Sequence, residues 1–167
     1  MCDNPSSMAR FRFRPLHGVF LVLVFRAAVL GADYVLEGRM GQARFERVGP
    51  GPDGTVRVSL AGLEPREVRF YRFLNPGNQE VRFFVGRDPG GVVQVAFDAS
   101  ESHANVGRGF RHEGEWVVDN KCDTTVRLAS VNQGGGGCKP VPLVHRVEGD
   151  TLVLTESDLL AGWRLFR

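Results

Sequence analysis

Lysine and cysteine are scarce in this chain, and neither sign of charge dominates. The 167 residues include three cysteines and four histidines, and the two lysines are Lys121 and Lys139. The formal net charge of +2 argues neither for nor against an acidic partner. Any metal or redox chemistry based on cysteine or histidine must therefore come from a small set of side chains.

Familiar catalytic and phosphate-binding motifs are also missing. No G-x-S-x-G element is present, so a hydrolase nucleophile elbow is not indicated. The run Gly134–Gly137 is not followed by Lys-Ser or Lys-Thr in the spacing of a P-loop, so a phosphate site is not supported. Asp98, Ser100 and His103 are close in sequence, but a triad requires a spatial arrangement and an oxyanion hole that proximity does not imply. We therefore expect a protein that is not an enzyme.

The N-terminal segment lacks an uninterrupted apolar run of about 20 residues, the length that a membrane-spanning helix needs. Three arginines (Arg10, Arg12 and Arg14) precede a short apolar run over 19–25, and small residues follow it. This order is typical of a secretory signal. We expect residues 1–32 to be a signal peptide or a membrane anchor, with a buried strand as the alternative. The protein should then be secreted or periplasmic, or anchored to a membrane.

Residues 33–167 lack long helical patterns and have the pattern of successive short strands. With 21 glycines and 9 prolines in the chain, turns should be many and helices few. Val56, Val58 and Leu60 alternate with polar or small residues, as in a half-buried strand. Runs separated by tight Gly-containing turns predict hairpins. We expect a mainly β, single compact domain of short antiparallel strands and hairpins with Gly-rich loops.

For three elements the sequence also predicts the residue bounds. The segment 110–120 predicts a hairpin with its tip at Glu113-Gly114-Glu115. The segment 124–131 predicts a further strand. A short C-terminal helix is predicted over Asp158 to Trp163, with Ser157 as its N-cap.

Arginines and aromatic residues are interleaved between Val68 and Val85, a pattern also found on surfaces that bind single-stranded nucleic acid. In a strand, the same pattern places aromatic side chains in the core and arginines in water. Glu64, Glu67 and Glu80 dilute the positive charge. We therefore predict no nucleic acid partner.

Metal-ligating residue types concentrate between Val92 and Leu143. Two of the three cysteines, Cys122 and Cys138, lie there with two of the four histidines. Removal of a signal would take Cys2 away and leave these two cysteines in an oxidising compartment. An even cysteine count in such a compartment favours a disulfide.

Four segments carry a family resemblance: VRFFVGRDPGGVVQVAFDAS (81–100), GFRHEGEWVV (109–118), GGGGCKPVPL (134–143) and VEGDTLVLTESDL (147–159). In this order they resemble the FtrD-like membrane iron–sulfur-containing domain, over roughly residues 56–160. The resemblance implies a domain of a bacterial membrane or exported protein associated with iron or other metal handling. It therefore implies a metal ion or membrane metal-transport components as partners.

The resemblance also implies metal ligands at five cysteine positions, of which Cys122 and Cys138 are cysteines in this chain. Ser100, His103 and Asp119 stand at the other three. An iron–sulfur cluster is held by about four thiolates, so a standard cluster is not expected here. The remaining donors, Cys122, Cys138 and His103 with Asp119, suit one mononuclear ion of iron, copper or zinc.

The two cysteines allow a second interpretation, a Cys122–Cys138 disulfide. It would close a loop of about 17 residues, worth on the order of 3 kcal/mol in the chain-entropy model. If a metal binds instead, His112 could replace Asp119 as the fourth ligand.

The sequence thus predicts an exported metal-handling (iron-associated) binding domain with a remodelled mononuclear Cys/His site. The alternative is a metal-free, disulfide-stapled structural or protein-interaction module. The disulfide is the favoured chemical state, and the resemblance carries the metal-handling context.

Overall fold

Residues 1–42 and residues 43–167 form two separate units. The computed structural model of the chain describes residues 19–29, 31–32, 44–75, 77–104 and 106–167. In the first unit, the described residues form helix α1 (19–29 and 31–32), and the apolar side chains at positions 19–25 are exposed.

The predicted signal or anchor, residues 1–32, lies only partly within the described ranges. Its described part is helical, so the alternative of a buried strand is wrong there. None of the helices in the described parts of the chain is long and apolar enough to cross a membrane. The predicted domain start at residue 33 lies outside the described residues.

The second unit is mainly β, which confirms the predicted fold class. Its described strands are β1 (Phe45–Val48), β2 (Thr55–Ser59), β3 (Val68–Leu74), β4 (Glu80–Arg87), β5 (Val93–Ser100), β6 (Phe110–Glu113), β7 (Trp116–Asp119), β8 (Thr125–Arg127), β9 (Pro140–Pro142), β10 (Arg146–Glu148) and β11 (Thr151–Thr155). Helix α2 (Glu156–Ala161) is short, and 3₁₀ turns occupy Glu101–His103, Leu128–Gln133 and Trp163–Phe166.

The described strands form three sheets. One sheet has five strands in the order β1-β3-β4-β5-β9, and the other two have the orders β10-β11-β2 and β6-β7-β8. Every pair is antiparallel except β1 and β3, which run parallel. The predicted hairpin is confirmed, since Phe110 pairs with Asp119 and Glu113 with Trp116 on either side of Gly114.

The five-stranded sheet separates two hydrophobic clusters. Successive side chains of a strand point to opposite faces, and β4 supplies Phe83 to one cluster and Phe84 to the other. Strand β5 does the same with Phe97 and Ala96. Because both faces are covered, β5 is buried along nearly its whole length. The sheet therefore provides a rigid base for the loops that follow its strands.

Two local predictions need correction. Helix α2 begins at Glu156, and its N-cap is Thr155, whose hydroxyl accepts a hydrogen bond from the Asp158 N–H at 3.1 Å. Ser157 is one of several cap-type residues here, and the sequence does not distinguish between them. The predicted strand over 124–131 is shorter than expected, because the chain turns into a 3₁₀ helix at Leu128 and buries that side chain in the core.

Candidate functional site

His103 is positioned by the end of strand β5. The strand stops at Ser100, and a single 3₁₀ turn over Glu101–His103 carries the imidazole to the sheet edge. Strand β9 pairs with β5 at this edge, and Pro140 lies opposite Ser100. Proline lacks an N–H donor and is tolerated at a sheet edge. Because Cys138 comes two residues before Pro140, this pairing brings it towards His103.

The Cys138 loop depends on its four glycines. Each glycine of the run Gly134–Gly137 has a positive φ, between 65° and 129°, a conformation that residues with a side chain rarely adopt. The Ser102 N–H donates to the Gly137 carbonyl at 3.2 Å, which ties this loop to the turn that carries His103. This glycine run thus has a specific backbone shape.

Cys122 lies in the turn between β7 and β8, and Asp119 organises that turn. The Oδ1 atom of Asp119 accepts hydrogen bonds from the N–H groups of Lys121 (2.7 Å) and Cys122 (3.0 Å). Its Oδ2 atom accepts one from the Ser100 hydroxyl at 3.0 Å. The Ser100–Asp119 bond joins the end of β5 to the end of β7. It therefore fixes the Cys122 turn relative to the His103 turn.

The three side chains meet at one point. Cys122 and Cys138 form a disulfide, with Sγ atoms 2.22 Å apart and Cα atoms 6.7 Å apart. The Nδ1 atom of His103 lies 3.8 Å from each sulfur. One potential ligand atom from each residue lies within 4.8 Å of the others, and all three residues are partly buried. The arrangement offers two sulfurs and one nitrogen near the surface.

The other two sequence candidates are placed differently. Asp119 is 3% exposed, and its Oδ2 atom lies 3.9 Å from His103 Nδ1. The oxygens of Asp119 already accept the three hydrogen bonds described above. Asp119 therefore positions the Cys122 turn. His112 lies on β6, where its Nε2 atom contacts the Gly114 carbonyl at 2.8 Å. The described structure does not bring His112 into the Cys–His group.

The sequence did not predict that Asp98, beside the site, is buried. Asp98 is fully buried and accepts a hydrogen bond from the Phe110 N–H at 2.7 Å. The Arg44 guanidinium approaches its two oxygens at 3.4 and 3.5 Å. Charge-assisted hydrogen bonds are normally about 2.7–2.9 Å, so this pairing compensates the buried carboxylate only in part. The one available signal was a carboxylate inside an otherwise apolar strand, VQVAFDAS.

The pKa of Asp98 reflects this partial compensation. Burial raises it to about 6, against the opposing effects of Arg44, the Phe110 N–H and Arg82, while Asp119 adds to the rise. Burial in turn lowers the pKa of the Arg44 guanidinium, and the charge of Asp98 opposes that change. A small cavity lies between Asp98 and His103, and its lining also includes Ser100, Asp119, Arg82 and Lys121.

Comparison with known proteins gives a match to one family. A sequence model of the family described as "Membrane iron-sulfur containing protein FtrD-like" matches residues 63–166. The matched range includes His103, Cys122 and Cys138. No curated protein and no solved structure matches the chain.

Proposed function

Because this chain belongs to the FtrD-like family of membrane iron–sulfur containing proteins, we propose that it is an iron-associated metal-binding domain. In this proposal one mononuclear ion is held by Cys122, Cys138 and His103. The observation that carries it is the convergence of their ligand atoms within 4.8 Å. The family description supports the association with iron.

The residues of this chain do not fit the cluster that the family description implies. Iron–sulfur clusters are held by about four thiolates, with histidine as an occasional substitute. The site has two cysteines, and the third, Cys2, lies outside the described residues. Two sulfurs and one imidazole cannot complete the ligand set of a cluster within one chain.

A single ion suits the same donors better. Two thiolates and one imidazole are a common partial set for Zn²⁺, and iron and copper also accept these ligand types. With metal–sulfur bonds near 2.3 Å and metal–nitrogen bonds near 2.0 Å, tetrahedral ligand atoms lie about 3.5–3.8 Å apart. The two spans of 3.8 Å from His103 Nδ1 to the sulfurs are slightly longer than the roughly 3.5 Å expected for a nitrogen–sulfur pair, so the imidazole must approach a little. The two sulfurs must also separate, which requires that they be thiolates.

We propose Asp119 as the fourth group of the site. Its Oδ2 atom lies 3.9 Å from His103 Nδ1, near enough to reach an ion held by that nitrogen after a small shift. It would not orient the imidazole through Nδ1, because a ring nitrogen that binds a metal has no N–H to donate to a carboxylate. The hydrogen bonds that Asp119 accepts from the Cys122 turn favour a role in holding that turn over direct ligation.

A role in binding is proposed over catalysis. The Ser100 side chain is buried, and its hydroxyl donates to Asp119. A serine nucleophile would need its hydroxyl free to meet substrate and paired with a base. This arrangement supports Ser100 as a structural link between two strands.

We further propose that the domain is exported and works beside membrane components that move metal ions. The basic and apolar pattern of residues 1–32 and the membrane association in the family description support this placement. Fractionation of cells that produce the full chain would test it. Recovery in the cytoplasmic fraction alone would contradict the proposal.

One alternative function is favoured by a specific observation. The Cys122–Cys138 disulfide joins the β7–β8 turn to the loop before β9, and a metal-free module stapled in this way would need no ion. Under this alternative, His103 is a partly buried loop residue. The two functions differ in whether the reduced protein binds metal.

The deciding experiment is metal analysis of the full chain, purified without oxygen in the presence of a thiol reductant. We expect one ion per chain, and addition of Co²⁺ to the metal-free reduced protein should give the absorption of cobalt–thiolate bonds. His103→Ala should weaken Co²⁺ binding at least about tenfold, the effect commonly seen when a metal site loses a supporting group. His112→Ala is the matched control and should bind as the unmodified chain does. Reduced, folded protein without stoichiometric metal would leave the stapled module as the function.

A further inference from the structure

We propose that the Cys122–Cys138 pair is a reversible two-electron couple that gates the metal site. In the dithiol state the pair binds an ion, and in the disulfide state it cannot. The reductant is a dithiol, such as that of a partner thiol–disulfide exchange protein. The metal-binding half of this inference rests on the function proposed above, whereas the dithiol–disulfide half does not.

The two states exclude each other because they use the same atoms. A cysteine sulfur binds a metal ion as a thiolate, which carries a negative charge and free electron pairs. A disulfide sulfur has no such charge, since its bonding electrons are shared with the other sulfur. Formation of the Cys122–Cys138 bond therefore removes two of the three donors at once. His103 alone is too small a ligand set to retain the ion.

The disulfide is placed where a reductant can reach it. Cys122 and Cys138 are both partly exposed, and neither belongs to either hydrophobic cluster. Exposed disulfides are more easily reduced than buried structural ones. The two lysines of the chain, Lys121 and Lys139, are exposed and directly flank the two cysteines. Their positive charges favour the approach of a thiolate, the anionic form of an attacking thiol.

The structure also holds the two loops in place without the disulfide. The Cys122 turn is held by Asp119, which accepts two of its N–H groups and the Ser100 hydroxyl. The Cys138 loop is held by the hydrogen bond from Ser102 and by the pairing of β9 with β5. Reduction breaks none of these contacts. The freed thiols therefore stay beside His103, which favours metal binding because little further ordering is needed.

The exchange conserves atoms and electrons. One thiolate of the reductant attacks one sulfur of the pair, forms a mixed disulfide and displaces the other sulfur as a thiolate. The second thiol of the reductant then displaces the first sulfur, so the reductant leaves as a disulfide and the chain as a dithiol. Two electrons and two protons pass from the reductant to the chain. Binding of a divalent ion then replaces two thiol protons.

The test uses the full chain. Protein equilibrated without oxygen in graded mixtures of reduced and oxidised dithiothreitol is alkylated, and peptide mass spectrometry counts free Cys122 and Cys138 separately from Cys2. Circular dichroism reports whether the fold persists, and Co²⁺ is added at each ratio. We expect the pair to be reduced in the folded protein, Co²⁺ absorption to rise in proportion to the reduced fraction, and reoxidation to release the ion.

Three results would overturn the inference, and they can be told apart. Reduction that occurs only when the protein unfolds would make the disulfide a structural staple. Binding of Co²⁺ by oxidised protein as tightly as by reduced protein would remove the gate and leave the metal function. Reduction in the folded state without Co²⁺ binding would reject the metal function and leave a dithiol couple alone. The double variant Cys122→Ser/Cys138→Ser is the control and should respond to neither reductant nor Co²⁺ at this site.

Discussion

Substitution of Asp98 by asparagine should change how the stability of the fold depends on pH. The Asp98 carboxyl is fully buried, and its pKa rises from the ordinary 3.8 to about 6. Arg44, Arg82 and Asp119 are the charged groups that face it. An amide of the same shape can still accept the hydrogen bond from the Phe110 N–H but does not titrate. The variant therefore isolates the contribution of this one carboxyl.

The direction of this pH effect follows from the raised pKa of Asp98. A group whose pKa is higher in the folded state favours folding when it is protonated, so its contribution is complete below pH about 4 and is lost as the pH rises through about 6. A rise of the pKa from 3.8 to about 6 corresponds to about 3 kcal/mol. The unfolding free energy of Asp98→Asn minus that of the unmodified chain should therefore increase by about 3 kcal/mol between pH 3.5 and pH 7 (roughly the two limits of this titration).

Urea unfolding followed by circular dichroism at several pH values measures this difference. Asp53→Asn is a control of opposite sign, because hydrogen bonds from Thr55 lower the pKa of that exposed carboxyl. Its difference from the unmodified chain should fall, not rise, as the pH increases. A constant difference for Asp98→Asn across the range would refute the assignment of a raised pKa to this buried group.

Two pairs of substitutions test the local geometry, and urea unfolding measures the effect of each substitution. Gly109→Ala should destabilise the fold by about 3 kcal/mol or more, because φ is +59° and the new methyl would overlap the Asp98 carboxylate. Gly114→Ala, with φ of +62° and open space around it, should cost only about 1 kcal/mol, and equal effects would contradict the proposed overlap. Thr155→Ala should cost about 1 kcal/mol through loss of the helix cap, whereas Ser157→Ala, at an exposed position, should cost much less. A larger loss from the Ser157 variant would show that the cap is wrongly assigned.

Local patterns in the sequence predicted the mainly β fold and its hairpin, but not the N-cap of α2 or the end of β8. The hairpin over Phe110–Asp119 was predicted because its turn residues and its alternating strands are adjacent in sequence. The parallel pairing of β1 with β3 was not predicted, since the register Phe45–Phe70 joins segments that no short-range pattern relates. The Arg44–Asp98 pair spans 54 residues and was missed for the same reason.

The site could be predicted in its residue types but not in its arrangement. His103, Cys122 and Cys138 were selected as candidates from the family resemblance, and the structure places them together. The role of Asp119 depended on its hydrogen bonds to the Cys122 turn, which are set by backbone conformation. The sequence also left the disulfide and the metal site as alternatives. We propose that they are two states of one site.

The separation of the proposed metal ligands from the core has an evolutionary consequence. His103, Cys122 and Cys138 come from three loops, and none of them contributes to either hydrophobic cluster. Substitution at one of these three positions therefore need not weaken the packing that stabilises this fold. A lineage could exchange one set of donors for another, including cysteine for histidine at position 103, while the sheets stay the same. Such a scaffold could change its proposed metal preference through loop mutations that leave the core packing as it is.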